Sequence, residues 1–369
     1  MNRLFRWNQT GLFLLALAAG ILPFAVPEVC AAALREGLTL CSGPLLLSLF
    51  PFLVVSRLLI QCPESDLLAL PFRLAAWGIG IRTPCAARVL CIGFLGGFAP
   101  AASAAAQAVR TGQLTAEEAD ALLPACICSG PSFVVLTVGQ SLLGSAELGV
   151  LLFASQITAN YLTAALLNRF AGVRSVKPGS AAPASPAPPR LDEILADAAI
   201  TYCKLCGFIL FFRLLAAGAG ALLPTGAGTL CAILLEVCSG CDLASRTGRW
   251  GSLLCCAALS VQGLSVLLQV RTICPAEMTL HPLYRARILH LPLSLALFYL
   301  LLPGGEADVF STLPARVLLM RRVPPDCALL VFAVCCMAAC TLRRGIRQVE
   351  QKQMARNAGG CCINSKTLL

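Results

Sequence analysis

The sequence predicts an all-α polytopic membrane protein, with about eight transmembrane helices and two re-entrant hairpins arranged as inverted repeats. Of its 369 residues, 58% are hydrophobic and 12% are charged, and its mean hydropathy is +0.81. A soluble domain carries roughly 25% charged residues. Apolar windows long enough to cross a bilayer recur along the chain, and two further windows each carry a break near the middle. This pattern leaves no room for a separate soluble catalytic domain.

Eight windows of crossing length are predicted, and they are 11–33, 37–61, 88–109, 149–168, 199–222, 228–245, 287–303 and 326–342. The first resembles a secretory signal, but its apolar run has the length of a bilayer and more membrane follows, so it is predicted to be a retained span. The Gly- and Pro-containing motif 96–100 breaks the third window. The basic segment 67–82 is predicted to lie at the interface.

Positive charge orients these spans, because cytoplasmic loops are enriched in Lys and Arg. Both termini, the loop before residue 88 and the Pro-, Ala- and Ser-rich linker carry the arginine clusters, so all are predicted to be cytoplasmic. The acidic loop 110–120 then falls outside. The window 121–144 must begin and end outside, as a hairpin with its tip at Ser129-Gly130-Pro131.

The same counting makes 251–270 a second hairpin, entered from the opposite face, with its tip at 262–265. This count of positive charges takes five arginines as markers of the inner side: Arg246, Arg249, Arg271, Arg285 and Arg287. The outer loop 304–325 conflicts with the charge rule through its own arginines. The predicted organisation is a first span (1–36), a first repeat (37–170), a cytoplasmic linker (171–198), a second, inverted repeat (199–303), and a last span with a basic cytoplasmic tail (304–369).

Short similar segments at matching positions in the two halves support the repeat. The segment 56–59 resembles 212–215, 97–103 corresponds to 236–242, and 129–130 corresponds to 262–263. Inverted repeats with discontinuous helices at matching positions indicate a secondary transporter whose site lies at the bilayer midplane.

The candidate substrate-binding residues surround these breaks, and they are Gly97, Ser103, Ser129, Gly130, Ser132, Ser239, Gly240, Gln262, Gly263, Ser265 and Gln269. Ser129 could cap the half-helix that Pro131 opens, leaving amides that suit a carboxylate or phosphate. The alternative is a plain proline kink. Gln262, Ser265 and Gln269 could donate to a substrate or only pack helices together.

Three charged residues inside apolar runs complete the candidate set. Burying the Glu236 carboxylate in lipid would cost several kcal/mol unless it is paired, protonated or in a water-filled cavity. Glu236 is therefore a candidate for cation or proton coupling. Arg57 and Arg213 could meet an anionic substrate or snorkel to the headgroups. The cysteines lie mostly in apolar runs and behave as small hydrophobes. No metal, other cofactor, nucleic acid or enzymatic activity is expected, since no catalytic constellation lies within matching spans.

Several motifs in fixed order resemble a known family. They are Gly96-Gly97-Phe98-Ala99-Pro100, the segment 112–120, Cys128-Ser129-Gly130-Pro131-Ser132-Phe133, the segment 236–240, and Gly263-Leu264-Ser265-Val266 with Gln269. Over about residues 40–300 the chain is similar to the sporulation integral membrane proteins of the YlbJ type, among the nucleoside-recognition or Gate domain membrane proteins. The two repeats are then Gate-like. Ile127-Cys128, Ala99-Pro100 and Ser239 depart from the family's polar pattern, and these departures remove polar groups from the predicted site.

The resemblance implies a bacterial multi-pass protein of the outer forespore membrane that moves dipicolinic acid during endospore formation. A transporter or channel for a small anionic solute, with dipicolinate as that solute, is therefore the leading hypothesis. A nucleoside-type carrier and a non-transporting scaffold of a sporulation assembly are the alternatives. The expected partners are the lipid bilayer and the solute, with a homo-oligomer or other sporulation membrane proteins also open.

Overall fold

The computed structural model of the chain describes residues 9–171 and 191–302, and these are helical without a strand. In chain order the helices are α1 (Gln9–Ala25), α2 (Pro27–Ser42), α3 (Pro44–Gln61), α4 (Leu70–Gly78), α5 (Pro84–Gly96), α6 (Phe98–Arg110), α7 (Ala116–Cys126), a π-helix (Ser132–Leu142), α8 (Ala146–Ala171), α9 (Leu191–Leu222), α10 (Thr225–Leu235), α11 (Val237–Ser245), α12 (Gly251–Val261), α13 (Gly263–Ile273) and α14 (His281–Leu301), with short 3-10 turns at Pro63–Asp66 and Gly248–Trp250. Most of the predicted linker, the predicted span 326–342, the loop 304–325 and the basic tail lie outside the described residues, so their predicted topology stays a prediction.

Three described helices are long and apolar enough to cross a membrane, and they are Ala146–Ala171, Leu191–Leu222 and Gly248–Ile273. A fourth is added if α1 and α2 count as one span. This is compatible with an integral membrane protein. The count of eight is not confirmed, because breaks divide several predicted windows into helices of 9 to 13 residues, about half the length of a span.

The predicted first crossing, 11–33, is not one straight helix, and whether it spans the membrane stays a prediction. The chain bends by 111° between α1 and α2, where Pro27 opens α2. Proline has no amide hydrogen and fits best in the first turn of a helix, where that hydrogen would have no partner within the helix, so Pro27 suits the start of α2. Beyond the bend, α2 packs along α9, and Arg213 Nη2 donates to Glu36 Oε2 at 2.6 Å.

The third predicted crossing, 88–109, folds back on itself. Helices α5 and α6 pack side by side and meet at Gly97, whose φ of +80° is one that glycine adopts without strain. The carbonyl of Ile60 accepts from Arg88 Nη1 at 2.9 Å and from Gln113 Nε2 at 3.1 Å. The start of α5 and the end of α6 therefore lie together, so this segment is a fold-back pair and not a broken crossing.

The matching segment of the second half, 228–245, folds back as well. Helices α10 and α11 pack side by side and turn at Glu236. Their contact is close, because a Cβ added to Gly240 would lie 2.8 Å from the Cα of Ile233. The predicted broken crossing is therefore a second fold-back pair, with Glu236 at its tip.

The first predicted hairpin is instead a broken helix that runs on along α8. Asn168 Nδ2 donates to the carbonyl of Ala121 at 3.1 Å, and Asn160 Nδ2 donates to that of Ile127 at 3.3 Å. Gly139, near the end of the π-helix, packs against the start of α8. As the chain runs from Ala121 to Gly139, its contacts move from the end of α8 to its start, so the broken helix runs antiparallel along the length of α8. The prediction of a hairpin at 121–144 is therefore wrong.

The second predicted hairpin is also a broken helix, and its partner is α14. Cys256 Sγ donates to the carbonyl of Ser294 at 3.6 Å, and one turn further Ser260 Oγ lies 2.5 Å from His290 Nδ1. The whole stretch Gly248–Ile273 qualifies as one span-length helix. The arms α12 and α13 run on and do not pack side by side.

The loop 110–120 was predicted to lie on the face opposite to the basic loop before residue 88, and this is wrong. Thr83 Oγ1 donates to Glu118 Oε1 at 2.6 Å, so the two loops lie at one end of the molecule. The reason is the fold-back pair α5/α6, which returns the chain to the end where it started. Glu118 also completes a capping box with Thr115 that begins α7.

One order of elements therefore occurs twice: a fold-back pair, a broken helix and a long helix. The first set is α5/α6, α7 with the π-helix, and α8, and the second is α10/α11, α12 with α13, and α14. Helices α8 and α14 run antiparallel, since Gln156 contacts His290 while Asn160 contacts Arg287. The largest cluster of buried hydrophobic residues includes members of both sets.

Candidate functional site

Each fold-back tip lies against the break of the helix that follows it. A Cβ added to Gly97 would be only 2.7 Å from the amide nitrogen of Gly130, in the first broken helix. A Cβ added to Gly263, in the second broken helix, would be 2.9 Å from the amide nitrogen of Glu236. Both glycines have positive φ, so both the contact and the backbone conformation require a residue without a side chain.

The two breaks also contact each other. Gln262 Nε2 donates to Ser129 Oγ at 3.3 Å and to the carbonyl of Leu259 at 2.6 Å. Gln262 has a φ of +64°. Ser129 was expected to cap the helix that follows it, but the π-helix begins after Pro131 with no side-chain cap. The hydroxyl instead joins one half of the protein to the other, which sequence reasoning did not foresee.

A cavity of about 50 Å³ lies at this meeting point. Its polar lining is Ser48, Ser129, Ser132, Glu236, Cys238 and Gln269. Gly130 also lines it, and Gly97 lies between the lining residues Gly96 and Phe98. Sequence reasoning selected four of the six polar residues, since these lie at or just after a break. It missed Ser48 and Cys238, which look like ordinary members of apolar helices.

The cavity lies at the beginnings of several half-helices. Phe98, Ser132 and Val237, the first residues of α6, the π-helix and α11, all line it. The first amides of a helix have no partner within that helix, and together they carry about half a positive charge. No side-chain cap covers the N-termini of α6, the π-helix or α13. These ends therefore offer donors to an anion.

Glu236 caps the remaining half-helix. Its two carboxylate oxygens accept from the amides of Cys238 and Ser239 at 2.8 and 2.7 Å, and the residue is 2% exposed. The buried charge expected to be functional thus also has a structural role, as the N-cap of α11. The helix end stabilises the negative charge at that depth, which explains how the chain tolerates a buried carboxylate there.

Three buried polar atoms beside the breaks have no partner among the described residues, and they are Gln262 Oε1, Gln269 Oε1 and Ser239 Oγ. Gln269 Nε2 donates to Ser265 Oγ at 2.9 Å, so only its oxygen is left over. A buried polar atom without a partner costs about 1–3 kcal/mol. Of the three residues only Gln269 lines the cavity, so its oxygen offers water or a ligand there a hydrogen-bond partner.

The remaining predicted site residues lie elsewhere. Ser103 is buried in α6 and Gly240 packs on α10, and neither lines the cavity. Arg57 and Arg213, the candidates for anion counter-charge, form ion pairs with Asp197 and Glu36, respectively. The two carboxylates are 140 or more residues away from their arginines in sequence, so no local pattern could reveal the pairing.

Two residues of α14 join the polar core without having been selected from sequence. His290 is fully buried and Arg287 is 8% exposed, and both contact α8 and α12. Arg287 had been used only as a marker of the inner face. The available signal was an arginine and a histidine three residues apart, on one face of an apolar helix.

Within the described ranges, no three residues among His, Cys, Asp and Glu come together as a metal site would require. No known protein family, curated protein or solved structure matches the chain. The resemblance to the sporulation membrane proteins therefore stays a prediction.

Proposed function

We propose that the chain is an integral membrane transporter or channel for a small anionic solute. The observation that carries this proposal is a cavity lined by residues of both sets of elements, at which three half-helices begin. Two of them, α6 and the π-helix, have no side-chain cap. In lipid, non-helical backbone is tolerated where it is buried in protein or lines a polar cavity. Half-helix N-termini at such a cavity favour a negatively charged solute.

In this proposal each set of elements is one of two inverted repeats in the bilayer. The fold-back pairs α5/α6 and α10/α11 are the re-entrant hairpins, and the broken helices α7 with the π-helix and α12 with α13 are crossings. The antiparallel packing of α8 against α14 supports opposite orientations of the repeats. The breaks lie beside Asn160 of α8 and Arg287 of α14, within the length of both long helices, which supports a site inside the bilayer.

The cavity is small enough to imply motion. A volume of about 50 Å³ holds roughly three to five water molecules at about 10–15 Å³ each, which is too little for a ring bearing two carboxylates. In the described conformation the cavity therefore has no room for the proposed solute. A shift of a fold-back pair against its broken helix, at the Gly97 or Gly263 contact, would open the cavity and alternate access to it.

Glu236 is the proposed site of ion coupling. It lines the cavity and is held by two backbone amides. A cation or proton arriving there would reduce the local negative charge beside the solute. This change would couple entry of the ion to binding of the anion, because each favours the same state of the site.

The specific solute proposed is dipicolinate, carried across the outer forespore membrane. This choice rests on the family resemblance, and the two carboxylates of dipicolinate suit a cavity with donors from more than one half-helix. A strain lacking the gene should form spores short of dipicolinate.

Uptake of labelled dipicolinate into liposomes containing the purified protein tests the proposal. Gly130→Leu places a side chain in the cavity and should abolish uptake. Gly130→Ala is the matched control, because its added Cβ would come no closer than 3.4 Å to Gly96 O, an ordinary contact. Absence of wild-type uptake would reject transport of this solute and favour the scaffold, and competition by nucleosides would favour the nucleoside-type carrier.

A further inference from the structure

Arg287 is a buried cation with no carboxylate among its contacts in the described part of the chain. Its Nη2 donates to Asn160 Oδ1 at 2.9 Å and to the carbonyl of Pro124 at 3.5 Å, and its Nη1 donates to the carbonyl of Ser260 at 3.3 Å. Among the described residues its Nε has no hydrogen-bond partner. A buried charge is normally paired with an opposite charge, so its surroundings need another source of negative potential.

That source is the ends of two half-helices. Pro124 lies in the last turn of α7 and Ser260 in the last turn of α12. The last four carbonyls of a helix have no partner within it and carry about half a negative charge together. Arg287 thus caps the negative ends of both broken helices, one from each half of the protein.

The hydrogen bonds of the neighbouring His290 fit a neutral imidazole ring. His290 Nε2 lies 3.2 Å from the carbonyl of Gln156, which can only accept, so this nitrogen carries a proton. In the neutral ring Nδ1 is then the acceptor, and Ser260 Oγ donates to it at 2.5 Å. Arg287 is therefore the group in this network whose charge remains to be explained.

We propose that Arg287 determines the charge selectivity of the cavity. At a helix break the negative end of one half-helix faces the positive end of the next, and the two fields largely cancel. Arg287 neutralises the negative ends at both breaks, while the N-termini of the π-helix and α13 stay uncapped. Arg287 thereby makes the potential at the paired breaks more positive and offsets the carboxylate of Glu236, which lines the same cavity. This shift favours an anion. Arg287 acts through the helix ends and does not line the cavity, so it is a positioning and selectivity residue.

This inference rests on the proposed function, and charge preference tests it separately from binding as such. The probes are dipicolinate, which is pyridine-2,6-dicarboxylate, and its neutral diamide. The two share a ring and differ in charge, and binding of both is measured on the purified protein. The wild type should prefer the dicarboxylate. In Arg287→Met this preference should fall by roughly a hundredfold or more, the effect of one unit charge on two carboxylates about 10 Å away at an effective dielectric constant of about 20. Arg287→Lys keeps the charge and should keep the preference.

A second variant covers failure of Arg287→Met to fold. Asn160→Asp leaves Arg287 in place and puts a negative charge beside Nη2, so the preference should fall in the same direction. Loss of folding alone would weaken binding of both probes equally. An unchanged preference in a folded Arg287→Met or Asn160→Asp protein, or no preference in the wild type, would overturn the inference. Binding of neither probe by the wild type would reject the proposed substrate class itself.

Discussion

Gln262 donates a hydrogen bond of 3.3 Å to Ser129, a residue 133 positions earlier in the chain. Each residue lies in the break of a broken helix, and both are at least 95% buried. This contact joins the halves of the molecule at the point where α7, the π-helix, α12 and α13 all have a free end. It lies beside the cavity, so the cohesion of the two halves and the shape of the cavity depend on the same pair.

The Ser129–Gln262 pair should therefore show energetic coupling. A double-mutant cycle with Ser129→Ala and Gln262→Ala should give an interaction free energy of about 0.5–1.5 kcal/mol, the net value of a hydrogen bond. The measurement is reversible unfolding of the purified protein in detergent. Ser129→Ala combined with Ser42→Ala, at an exposed site on α2, is the additive control. Additivity in both cycles would mean that the contact contributes nothing.

The close contact at Gly263 should be intolerant of any side chain. Gly263→Ala adds a Cβ 2.9 Å from Glu236 N at a positive φ, so we expect a loss of about 1–3 kcal/mol in unfolding free energy. Gly226→Ala is the matched control in the same repeat, because a Cβ there meets nothing within 4 Å. Equal effects of the two changes would contradict the packing at this tip.

Replacement of Glu236 should affect stability and transport separately. Glu236→Gln keeps one acceptor for the amides of Cys238 and Ser239 and turns a donor toward the other, so we expect a loss of about 0.5–2 kcal/mol, as for other N-caps. If Glu236 couples an ion, the variant should also lose the pH dependence of uptake. If the Glu236→Gln variant, present at normal levels, takes up the solute with the wild-type pH profile, coupling through this residue is excluded. That result would not affect the role of Glu236 as the N-cap of α11.

The end of the molecule that carries the loop 110–120 should face the cytoplasm, together with the basic loop before residue 88. Glu117 and Glu147 are both exposed and lie at the beginnings of α7 and α8. In a cysteine-reduced background, Glu117→Cys should react with an impermeant thiol reagent only from the cytoplasmic side, and Glu147→Cys only from the outer side. Reaction of both from one side would contradict the crossing by α7 and the π-helix.

The pairs Arg57–Asp197 and Arg213–Glu36 should be dispensable for charge selectivity. Each arginine is paired with a carboxylate, so removal of both members of a pair leaves the net charge unchanged. Glu36→Gln with Arg213→Met should leave the preference for dicarboxylate over diamide within about twofold of the wild type, since such surface-linked pairs contribute about 0–1 kcal/mol. A loss as large as in Arg287→Met would assign the counter-charge to Arg213 instead.

The sequence by itself determined the helical, apolar character of the protein and the positions of three of its breaks, while the break at Glu236 was marked only by a carboxylate in an apolar run. Both are local properties. Composition follows from counting residues, and Gly97, the Ser129-Gly130-Pro131 segment, Glu236 and Gln262-Gly263 interrupt apolar helices through their own backbone or side-chain chemistry. For the same reason the residues selected at the breaks include most of the polar lining of the cavity.

The tertiary structure alone decided which broken segments fold back and which run on. A break of a few residues allows either path, and the choice depends on which partners the two arms find far away in the chain. The arms α5 and α6 meet at Ile60, whereas α7 and the π-helix follow α8. Counting positive charges could not separate these cases, because exchanging a hairpin with a crossing leaves the location of both ends of the repeat unchanged. The role of Arg287 was hidden for the same reason, since its partners are carbonyls whose positions only the packed helices define.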